Sequence, residues 1–411
     1  MKVKVIPHSL SGDLPAVKSK SYAHRILIAA ALSGGSVNYG SSEDAAHTAH
    51  ALETLGFEAK YADRSVYYGD FHRPAGRVEP FVGESGSTLR FLLPLALALG
   101  VEATFKTAGR LAERPMGALT EALTAHGALI DGLSVKGRLT AGGYEIDATV
   151  SSQFITGLLM ALPLLDGDSE IVLRGRAVSA PYIDITLEVL RAAGITVERT
   201  ERGFFVPGNQ KYKLKTAVVP GDFSGAAFPL VAGALGGAVT LRGLDIASAQ
   251  GDKAVVDVIK RAGAVVTISE GSISVKKGEL RSFTAEVGET PDLAPILAVL
   301  AAFAEGESVL KSVSRLRDKE SDRLMAIEEM LSRAGIPWQE GGDSLVIRGG
   351  QPQGGVFCAY HDHRMAMAEA ILAAYSDGES TIDDMTCVKK SYPEFWEDFA
   401  ALGGRYEVER R

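Results

Sequence analysis

The sequence predicts an α/β fold of two domains, each containing three βαβαββ units. The first observation is length, because 411 residues exceed one ordinary hydrophobic core and two domains of about 200 residues are the default. The second is a sixfold repeat in which an amphipathic helix ends in glycine and is followed by a strand. The third is a more apolar helix that precedes each amphipathic one. This alternation favours α/β units over a solenoid.

A glycine marks the end of each amphipathic helix. Such a residue adopts the left-handed conformation that closes a helix without strain. Subtracting successive glycine positions gives intervals of 71, 67, 69, 72 and 68 residues, and strand-like runs joined by a polar turn follow most of them. The six glycines are Gly56, Gly127, Gly194, Gly263, Gly335 and Gly403.

The more apolar helices are predicted to be buried. Leu92 to Leu99, Leu158 to Leu165 and Ile296 to Phe303 are apolar on nearly every face, as buried helices are. The break between the two groups of three units is expected near Val219 to Asp222, where proline and glycine interrupt the chain. These helices should begin near Lys20, Ser85, Ser151, Asp222, Asp292 and His361.

Composition excludes several classes of protein. Apolar residues make up 46% and charged residues 23%, as in ordinary globular proteins. A net charge of -8 argues against nonspecific nucleic-acid binding, and no apolar run is long enough to cross a membrane. The first seven residues are interpreted as a strand of the fold, not as a signal peptide. Cys358 and Cys387 are too few for a disulfide framework or zinc cluster, so we expect reduced thiols and a cytoplasmic protein.

Polar side chains gather at the predicted helix starts. If three units pack about a pseudo-threefold axis, their helix N-termini converge on one face of each domain and attract anions. Two such faces across a hinge would form a cleft for anionic small molecules. The buried-helix starts carry Lys20, Ser21, His24, Arg25, Ser85, Gly86, Ser87, Arg90, Ser151, Ser152, Gln153, Asp222, Asp292, His361, Asp362, His363 and Arg364. The outer-helix starts carry Arg110, Arg114, Ser179, Tyr182, Lys319, Glu320, Arg323 and Lys390.

The stretch from Arg317 to Arg323 is the most highly charged of these starts. The spacing of Leu324, Ile327 and Leu331 predicts a helix that begins near Lys319 to Ser321, so Lys319 and Arg323 should share one face. Cations oppose the dipole at a helix N-terminus, which favours a site for an anionic ligand. An exposed helix start with surface ion pairs is the alternative.

Three motifs are compatible with other chemistry. Gly83 to Thr88 is rich in glycine but lacks the spacing of a nucleotide-binding P-loop. His361 and His363 could bind a metal, but no further cluster of ligands accompanies them in the sequence. Ser151 and Ser152 could simply cap a helix. We therefore predict no metal and no organic cofactor.

The motifs together resemble the 5-enolpyruvylshikimate-3-phosphate synthase family over nearly the whole chain. Each motif alone is weak, but nine in the same order are specific. They are Lys20-Ser21 with Arg25, Gly83 through Arg90, Glu113-Arg114-Pro115, Ser151-Ser152-Gln153, Ser179 through Asp184, Pro291-Asp292, Lys319 through Arg323, Asp362 through Met365, and Lys390.

The resemblance implies a particular domain arrangement. Each domain would be an inverse α/β barrel, and the two would close on substrate through a hinge crossed near Asp13 and Gly221. Residues 14–221 would form one domain, and residues 1–13 with 222–411 the other. The N-terminal strand would thus join the C-terminal domain. We expect a monomer.

The resemblance also implies a reaction in which the carboxyvinyl group of phosphoenolpyruvate is transferred to the 5-hydroxyl of shikimate 3-phosphate. It implies Asp292, Glu320 and Lys20 as catalytic residues, with Asp292 at the hydroxyl and Glu320 at the methylene. Shikimate 3-phosphate would be bound by Lys20, Ser21, Arg25, Ser151, Ser152, Gln153, Ser179, Tyr182, Asp292 and Lys319. Phosphoenolpyruvate would be bound by Lys20, Gly86, Arg114, Gln153, Arg323, Arg364 and Lys390.

The chain departs from the family pattern at several positions. Arg315 stands where many members have asparagine or glutamate, Phe91 where some have proline, and Lys18 is an additional cation. Gly86 is retained, so the site lacks an added methyl group there and glyphosate should inhibit the protein.

Two alternatives remain open at the level of sequence. A sister enzyme transfers enolpyruvyl to UDP-N-acetylglucosamine, but it uses a loop cysteine that Thr107 to Pro115 lacks, and an asparagine where this chain has Ser21. A non-catalytic repeat scaffold would not require a carboxylate pair or arginine and lysine residues in both halves.

Overall fold

The structure is a computed structural model and describes residues 1–409. Within that range the chain forms twelve α-helices, two for each of the six predicted units. They are α1 (Lys20–Ala31), α2 (Glu43–Thr54), α3 (Gly86–Ala98), α4 (Gly117–Thr124), α5 (Ser152–Ala161), α6 (Ala180–Ala192), α7 (Phe223–Gly236), α8 (Ala254–Arg261), α9 (Ala294–Phe303), α10 (Arg323–Arg333), α11 (His363–Tyr375) and α12 (Phe395–Ala401).

Short strands alternate with these helices. They are β1 (Lys2–Ile6), β2 (Ser11–Pro15), β3 (Ser36–Asn38), β4 (Phe57–Ala62), β5 (Ser65–Phe71), β6 (Ala103–Thr104), β7 (Ala128–Asp131), β8 (Ser134–Gly137), β9 (Gly143–Asp147), β10 (Ser169–Arg174), β11 (Glu198–Thr200), β12 (Gly203–Val206), β13 (Thr216–Val218), β14 (Ala238–Arg242), β15 (Val265–Ser269), β16 (Ser272–Lys276), β17 (Thr284–Glu286), β18 (Glu307–Lys311), β19 (Trp338–Glu340), β20 (Ser344–Arg348), β21 (Val356–Phe357), β22 (Ser380–Ile382) and β23 (Arg405–Glu409).

The strands of residues 1–409 form six sheets that share one topology. In the sheet β9-β10-β12-β11, the first pair is parallel and the other two pairs are antiparallel. The same pattern occurs in β13-β3-β5-β4, β2-β14-β16-β15, β17-β18-β20-β19 and β21-β22-β1-β23. The sixth sheet, β6-β8-β7, has isolated parallel bridges at Val78–Ala103 and Phe81–Lys106 in place of its first strand. The predicted α/β fold is confirmed.

Three strands complete sheets that are distant in sequence. Strand β1 lies between β22 and β23, and β2 pairs in parallel with β14. Strand β13, which follows the third unit, pairs in parallel with β3 of the first. The pairing of β1 matches the expectation that the N-terminal strand joins the C-terminal half.

The chain divides into two compact units. The N-terminal unit comprises residues 20–219, and the C-terminal unit comprises residues 1–19 and 220–411. The sequence placed the first boundary at Asp13, whereas Leu14 and Pro15 pair with Leu241 and Arg242 in the C-terminal unit. The second boundary precedes Pro220, close to the predicted Gly221.

The core of each unit is formed by the more apolar helices. In the C-terminal unit α7, α9 and α11 pack against one another, and α7 is buried from Phe223 to Leu235. In the N-terminal unit α3 packs on α5, and α1 packs between α2 and α6. None of the helices within residues 1–409 combines the length and the apolar character that a membrane crossing requires.

The six repeat glycines close the outer helices as predicted. All have positive φ, from +71° at Gly335 to +114° at Gly56. A side chain there is strained. At Gly56 an added Cβ would also lie 2.3 Å from the carbonyl oxygen of His72, so both conformation and space require glycine.

The predicted start of α10 is wrong. The helix begins at Arg323, and the Asp322 side chain caps it by accepting from Met325 N. Residues Ser314–Asp318 form a separate 3₁₀ turn, and Lys319 is extended. Lys319 and Arg323 therefore do not share a helical face, because the Asp322 cap starts the helix only at Arg323, four residues after Lys319.

Candidate active site

The predicted site residues occur in both units. The N-terminal cluster consists of Lys20, Ser21, Arg25, Gly86, Arg114, Ser151, Ser152, Gln153, Ser179 and Tyr182. The C-terminal cluster consists of Asp292, Lys319, Glu320, Arg323, Arg364 and Lys390. Each cluster lies at the N-terminal ends of helices or in the turns that precede them.

Lys20 is the first residue of α1 and is held by one carboxylate. Its Nζ donates to Asp44 Oδ2 at 2.9 Å, and both side chains are largely buried. Asp44 lies in the first turn of α2, where a negative charge is stabilised by the helix dipole. The ion pair therefore fixes Lys20 at the start of α1.

Arg25 is a buried cation surrounded by neutral acceptors. Its Nε donates to Thr186 Oγ1 at 2.8 Å, Nη1 donates to Ser21 O at 2.6 Å, and Nη2 donates to Thr156 Oγ1 and Tyr182 O. Burial lowers the pKa of Arg25 to about 9, because water is removed without a neutralising carboxylate among these contacts. An anionic ligand would supply that missing charge.

Gly86 begins α3 beside the guanidinium of Arg114. A Cβ on Gly86 would lie 3.1 Å from Arg114 Nη1 and 3.3 Å from Gln153 Oε1. Arg114 Nε is buried and has no hydrogen-bond partner in the structure. Gln153 is fixed by Arg90, whose Nη1 donates to its Oε1, and by Ser87, which accepts from its Nε2 at 3.0 Å.

The serines of the N-terminal cluster lie at helix starts. Ser151 caps α5 by accepting from Gln153 N at 3.3 Å, and Ser152 is the first residue of that helix. Ser179 precedes α6 with φ +53° and ψ 43°, a left-handed conformation that is uncommon for serine. Such strain of about 1–3 kcal/mol recurs at functional sites. Tyr182 follows in the first turn of α6.

Arg323 organises the C-terminal cluster. It is fully buried, and its three ion pairs reach Asp292, Glu320 and Asp362 at 2.9 to 3.0 Å. Two further donors reach Asp362 Oδ1 and Pro291 O at 3.3 Å. All five N–H groups of the guanidinium are thus engaged. Binding of phosphoenolpyruvate by Arg323 requires the exchange of one of these contacts.

Asp292 is shared by two arginines. Its Oδ1 accepts from Arg323 Nη1 and its Oδ2 from Arg364 Nη2, both at 3.0 Å. Burial acts to raise the pKa of Asp292, but the charges of Arg364 and Arg323 outweigh it and hold the pKa well below its usual value. Arg364 keeps Nε and Nη1 buried without a partner. These two groups of Arg364 are therefore available to bind an anion while Nη2 keeps its hydrogen bond to Asp292.

Lys319 and Glu320 precede α10. Burial lowers the pKa of the Lys319 ammonium to about 8, although Asp292 opposes the shift, and Arg315 and Arg323 contribute to it. Glu320 Oε2 accepts from Arg323 Nη2 at 2.9 Å. Arg315, which departs from the family pattern, donates to Gly288 O at 3.3 Å. It acts on the pKa of Lys319 through its charge.

Lys390 ends a 3₁₀ turn, Cys387–Lys390, and its Nζ donates to His361 O at 2.8 Å. His361 itself has φ +56°, in the left-handed turn that leads to α11. The structure therefore links Lys390 to the turn before Arg364. Within residues 1–409, no group of three or more His, Cys, Asp or Glu side chains could hold a metal ion.

Three residues that hold the clusters together are not among the predicted site residues. Asp362 caps α11 and also accepts from Arg323 Nε at 2.9 Å, while it is completely buried. Arg90 fixes Gln153, and Asp44 pairs with Lys20. Asp362 and Arg90 lie within two of the nine motifs of the family. A charged residue at the start of a buried helix is the sequence signal that could have indicated them. The pairing of Asp44 with Lys20 leaves no sequence signal.

A model of the EPSP synthase (3-phosphoshikimate 1-carboxyvinyltransferase) family matches residues 5–399 of this chain. The chain belongs to the EPSP synthase family. The 3-phosphoshikimate 1-carboxyvinyltransferase of Clostridium kluyveri is 40% identical, with 98% of each chain covered. That of Clostridium novyi is 38% identical, with 98% of this chain and 97% of the relative covered.

Solved structures agree with this membership of the EPSP synthase family. The EPSP synthase of Acinetobacter baumannii superposes with a TM-score of 0.84 at 26% identity, with all of both chains covered. The enolpyruvyl transferase NikO from Streptomyces tendae has a TM-score of 0.77 at 17% identity, with 99% of this chain and 98% of that chain covered. The second likeness shows the fold alone.

Proposed function

We propose that this protein transfers the carboxyvinyl group of phosphoenolpyruvate to the 5-hydroxyl of shikimate 3-phosphate and releases phosphate, a step of the shikimate pathway that leads to aromatic amino acids. The observation that carries the proposal is the arrangement of Asp292 between Arg323 and Arg364, with two buried donors of Arg364 unpaired. A carboxylate base and an available guanidinium beside it suit a reaction between an alcohol and an anion. Family membership supports the same conclusion.

The N-terminal cluster suits the binding of shikimate 3-phosphate. Arg25 is a buried cation whose contacts are neutral, so the substrate anion would supply its counter-charge. The hydroxyl groups and helix N-termini nearby donate to anionic oxygens. The proposed ligands in this unit are Lys20, Ser21, Arg25, Ser151, Ser152, Gln153, Ser179 and Tyr182, and Asp292 and Lys319 of the C-terminal cluster complete the set.

The unpaired guanidinium donors suit the binding of phosphoenolpyruvate. Arg114 Nε, Arg364 Nε and Arg364 Nη1 are buried without partners, and a carboxylate or phosphate would satisfy them bidentately. The proposed ligands are Lys20, Gly86, Arg114, Gln153, Arg323, Arg364 and Lys390.

The reaction proceeds by addition and elimination. Glu320 donates a proton to the methylene carbon of phosphoenolpyruvate, Asp292 accepts the proton of the 5-hydroxyl, and the hydroxyl oxygen bonds to the central carbon. Lys20 stabilises the negative charge on the phosphate oxygens. In the second step Glu320 takes a proton back from the new methyl group as the bond to phosphate breaks, and the proton held by Asp292 leaves with the phosphate. The double bond and the starting protonation of both carboxyl groups are thereby restored.

Substrate binding adjusts the basicity of Asp292. In the structure two arginines hold it ionised but weakly basic. When an anion binds to Arg364, its negative charge offsets part of the positive field on Asp292. The pKa of Asp292 then rises towards the range in which a carboxylate can act as a general base. The same contact thus binds one substrate and prepares the group that acts on the other.

The deciding experiment measures phosphate release from phosphoenolpyruvate with each acceptor. Release with shikimate 3-phosphate, and none with UDP-N-acetylglucosamine, is expected. Release only with the nucleotide sugar would favour the sister activity, and no release with either acceptor would favour a binding scaffold. The family match favours the first outcome.

We further propose that the protein works as a monomer in the cytoplasm. Cys358 and Cys387 are free thiols, which suits a reducing compartment. Sedimentation of the purified protein at the mass of one 43.4 kDa chain is the expected result, and a dimer mass would contradict it.

A further inference from the structure

Helix α1 is held on both sides by buried threonine hydroxyls. We propose that Thr48 and Thr186 are positioning residues that fix the rotation of α1. Thr48 positions groups that bind phosphoenolpyruvate, and Thr186 positions groups that bind shikimate 3-phosphate. This inference rests on the proposed function. Both threonines are completely buried, and neither belongs to the predicted site.

Thr48 joins three helices by a chain of short hydrogen bonds. His24 Nδ1 of α1 lies 2.7 Å from Thr48 Oγ1 of α2, which lies 2.7 Å from Thr88 Oγ1 of α3. Thr88 Oγ1 donates to Ser85 Oγ at 2.8 Å, and Ser85 caps α3 immediately before Gly86. The chain therefore runs from the helix of Lys20 to the helix start proposed for phosphoenolpyruvate.

Thr186 occupies the opposite side of α1. It accepts from Arg25 Nε at 2.8 Å and lies 2.9 Å from Thr156 Oγ1 of α5. Its own hydroxyl donates to Tyr182 O at 2.9 Å, and the corresponding carbonyl oxygen in α2, Asp44 O, lies 3.2 Å from Thr48 Oγ1. This second chain links Arg25 and Tyr182, both assigned to shikimate 3-phosphate.

The repeat shows that these hydroxyls are exceptional. Each threonine precedes its repeat glycine by eight positions, since 56 − 48 and 194 − 186 both equal 8. The four residues at the same offset in the other units are buried and apolar, so core packing alone does not require a hydroxyl there. They are Leu119, Val255, Ile327 and Phe395.

The order of protons along the first chain is determined by its end. Ser85 Oγ accepts from both the N–H and the hydroxyl of Thr88, so Thr88 accepts from Thr48 across 2.7 Å. The single Thr48 proton is thus directed to Thr88 and not to the more distant Asp44 O at 3.2 Å, and Thr48 accepts from His24. His24 is then the neutral tautomer with its proton on Nδ1. Burial, together with the charges of Lys20 and Arg25, lowers its pKa well below the usual value, in keeping with a neutral ring. The buried Nε2, which has no partner, carries no proton.

Two isosteric substitutions test the inference. Thr48→Val should raise the KM for phosphoenolpyruvate by about tenfold or more and leave the KM for shikimate 3-phosphate within about twofold, because small misplacements of a binding group are costly. Thr186→Val should show the opposite pattern. Thr48→Ser and Thr186→Ser keep the hydroxyl and should restore the wild-type constants.

The control is Thr240→Val, which removes a hydroxyl pair of similar length between β14 and β16, Thr240 Oγ1 to Ser274 Oγ at 2.7 Å. Both KM values should be unchanged in it. Equal changes of both constants in each test variant, or no change in either, would overturn the proposal.

Nitrogen-15 NMR of His24 in the wild-type protein provides a measurement independent of whether the variants fold. A proton on Nδ1 supports the chain, and a proton on Nε2 overturns it. An inactive wild-type protein would instead refute the proposed function, while the tautomer would still report on the chain.

Discussion

At the scale of single residues, Arg323 shows how a cluster of like charges is kept in place. A buried guanidinium is stable only when its partners are charged or well oriented, and here three carboxylates surround it. Because those carboxylates include both proposed proton-transfer groups, one arginine fixes the geometry of Asp292 and Glu320 together. The charged stretch from Arg317 to Arg323 thus orients carboxylates within its own unit, in addition to its proposed role in binding an anion.

The substitution Glu320→Gln keeps the size and the hydrogen-bonding geometry of the side chain but removes its ability to donate a proton. The amide oxygen can still accept from Arg323 Nη2, as Glu320 Oε2 does, so the geometry should persist. We expect kcat to fall by about 10²–10⁴-fold while both KM values stay within about threefold. Steady-state kinetics and equilibrium binding of shikimate 3-phosphate provide the measurements. Weakened binding with unchanged turnover of the bound complex would refute the acid role.

Lys319 should give the activity an alkaline limit. Its pKa is lowered to about 8 by burial. The charged form is the one that we propose binds the substrate anion. As pH rises through about 8, the ammonium loses its proton and kcat/KM for shikimate 3-phosphate should fall. Lys319→Arg, whose side chain stays charged, should move this limit upward by at least one pH unit. A profile that is identical in the variant would assign the limit to another group.

At the scale of helices and strands, the start of α3 depends on the absence of a side chain. Gly86 lies where a methyl group would press on the guanidinium of Arg114 and the amide oxygen of Gln153. Gln153 is held by Arg90, so the strain of an added methyl group would fall on the Arg114 guanidinium, whose buried Nε has no hydrogen-bond partner. The lack of a side chain at Gly86 would let a bound anion approach the first N–H groups of the helix closely.

Gly86→Ala should weaken phosphoenolpyruvate binding more than shikimate 3-phosphate binding. The added Cβ, 3.1 Å from Arg114 Nη1, requires that guanidinium to shift. We expect the phosphoenolpyruvate KM to rise by about tenfold. Glyphosate, which should inhibit the wild-type protein, should inhibit this variant more weakly. Gly76→Ala, where a Cβ meets no atom within 4 Å, serves as the control and should change neither value.

The helices show both the reach and the limit of sequence reasoning. The six glycine-terminated helices could be predicted because a positive φ at a fixed offset is a local requirement. The start of α10 could not, because the aspartate cap at Asp322 competed with an equally plausible start at Lys319. The hydroxyl of Thr48 could not be recognised either, since its partners in α1 and α3 are remote in sequence.

At the scale of the whole molecule, the two units differ in how much of the chain they need. All strands of the N-terminal unit, β3 to β13, lie within residues 20–219. The C-terminal unit takes β1 and β2 from the other end of the sequence. Val3 and Val5 of β1 are completely buried there, and each contributes roughly 1.5–3 kcal/mol of hydrophobic stabilisation. The motifs that indicated the family do not show that only the C-terminal unit needs strands from a distant part of the sequence.

Separate fragments should therefore behave differently. Residues 20–219 should fold alone and unfold cooperatively on heating, because no sheet of that fragment is incomplete. Residues 220–411 should not fold, since two of their sheets lack a strand. Circular dichroism and thermal unfolding of the two fragments provide the measurement.

The control for the second fragment adds residues 1–19 through a flexible linker at its C-terminus. Cooperative unfolding should return in this fusion, whereas a linker of the same length without residues 1–19 should have no effect. A folded 220–411 fragment without the added strands would contradict the assignment of β1 and β2 as essential.

The position of β1 between β22 and β23 has a consequence for synthesis on the ribosome. Ile6 emerges 374 residues before Ser380, the first residue of its partner β22. At about 5–20 residues per second, the strand waits about 20 to 75 s for that partner. Strand β1 is thus made long before both of its neighbours, and its sheet in the C-terminal unit can be completed only after β22 and β23 have been synthesised.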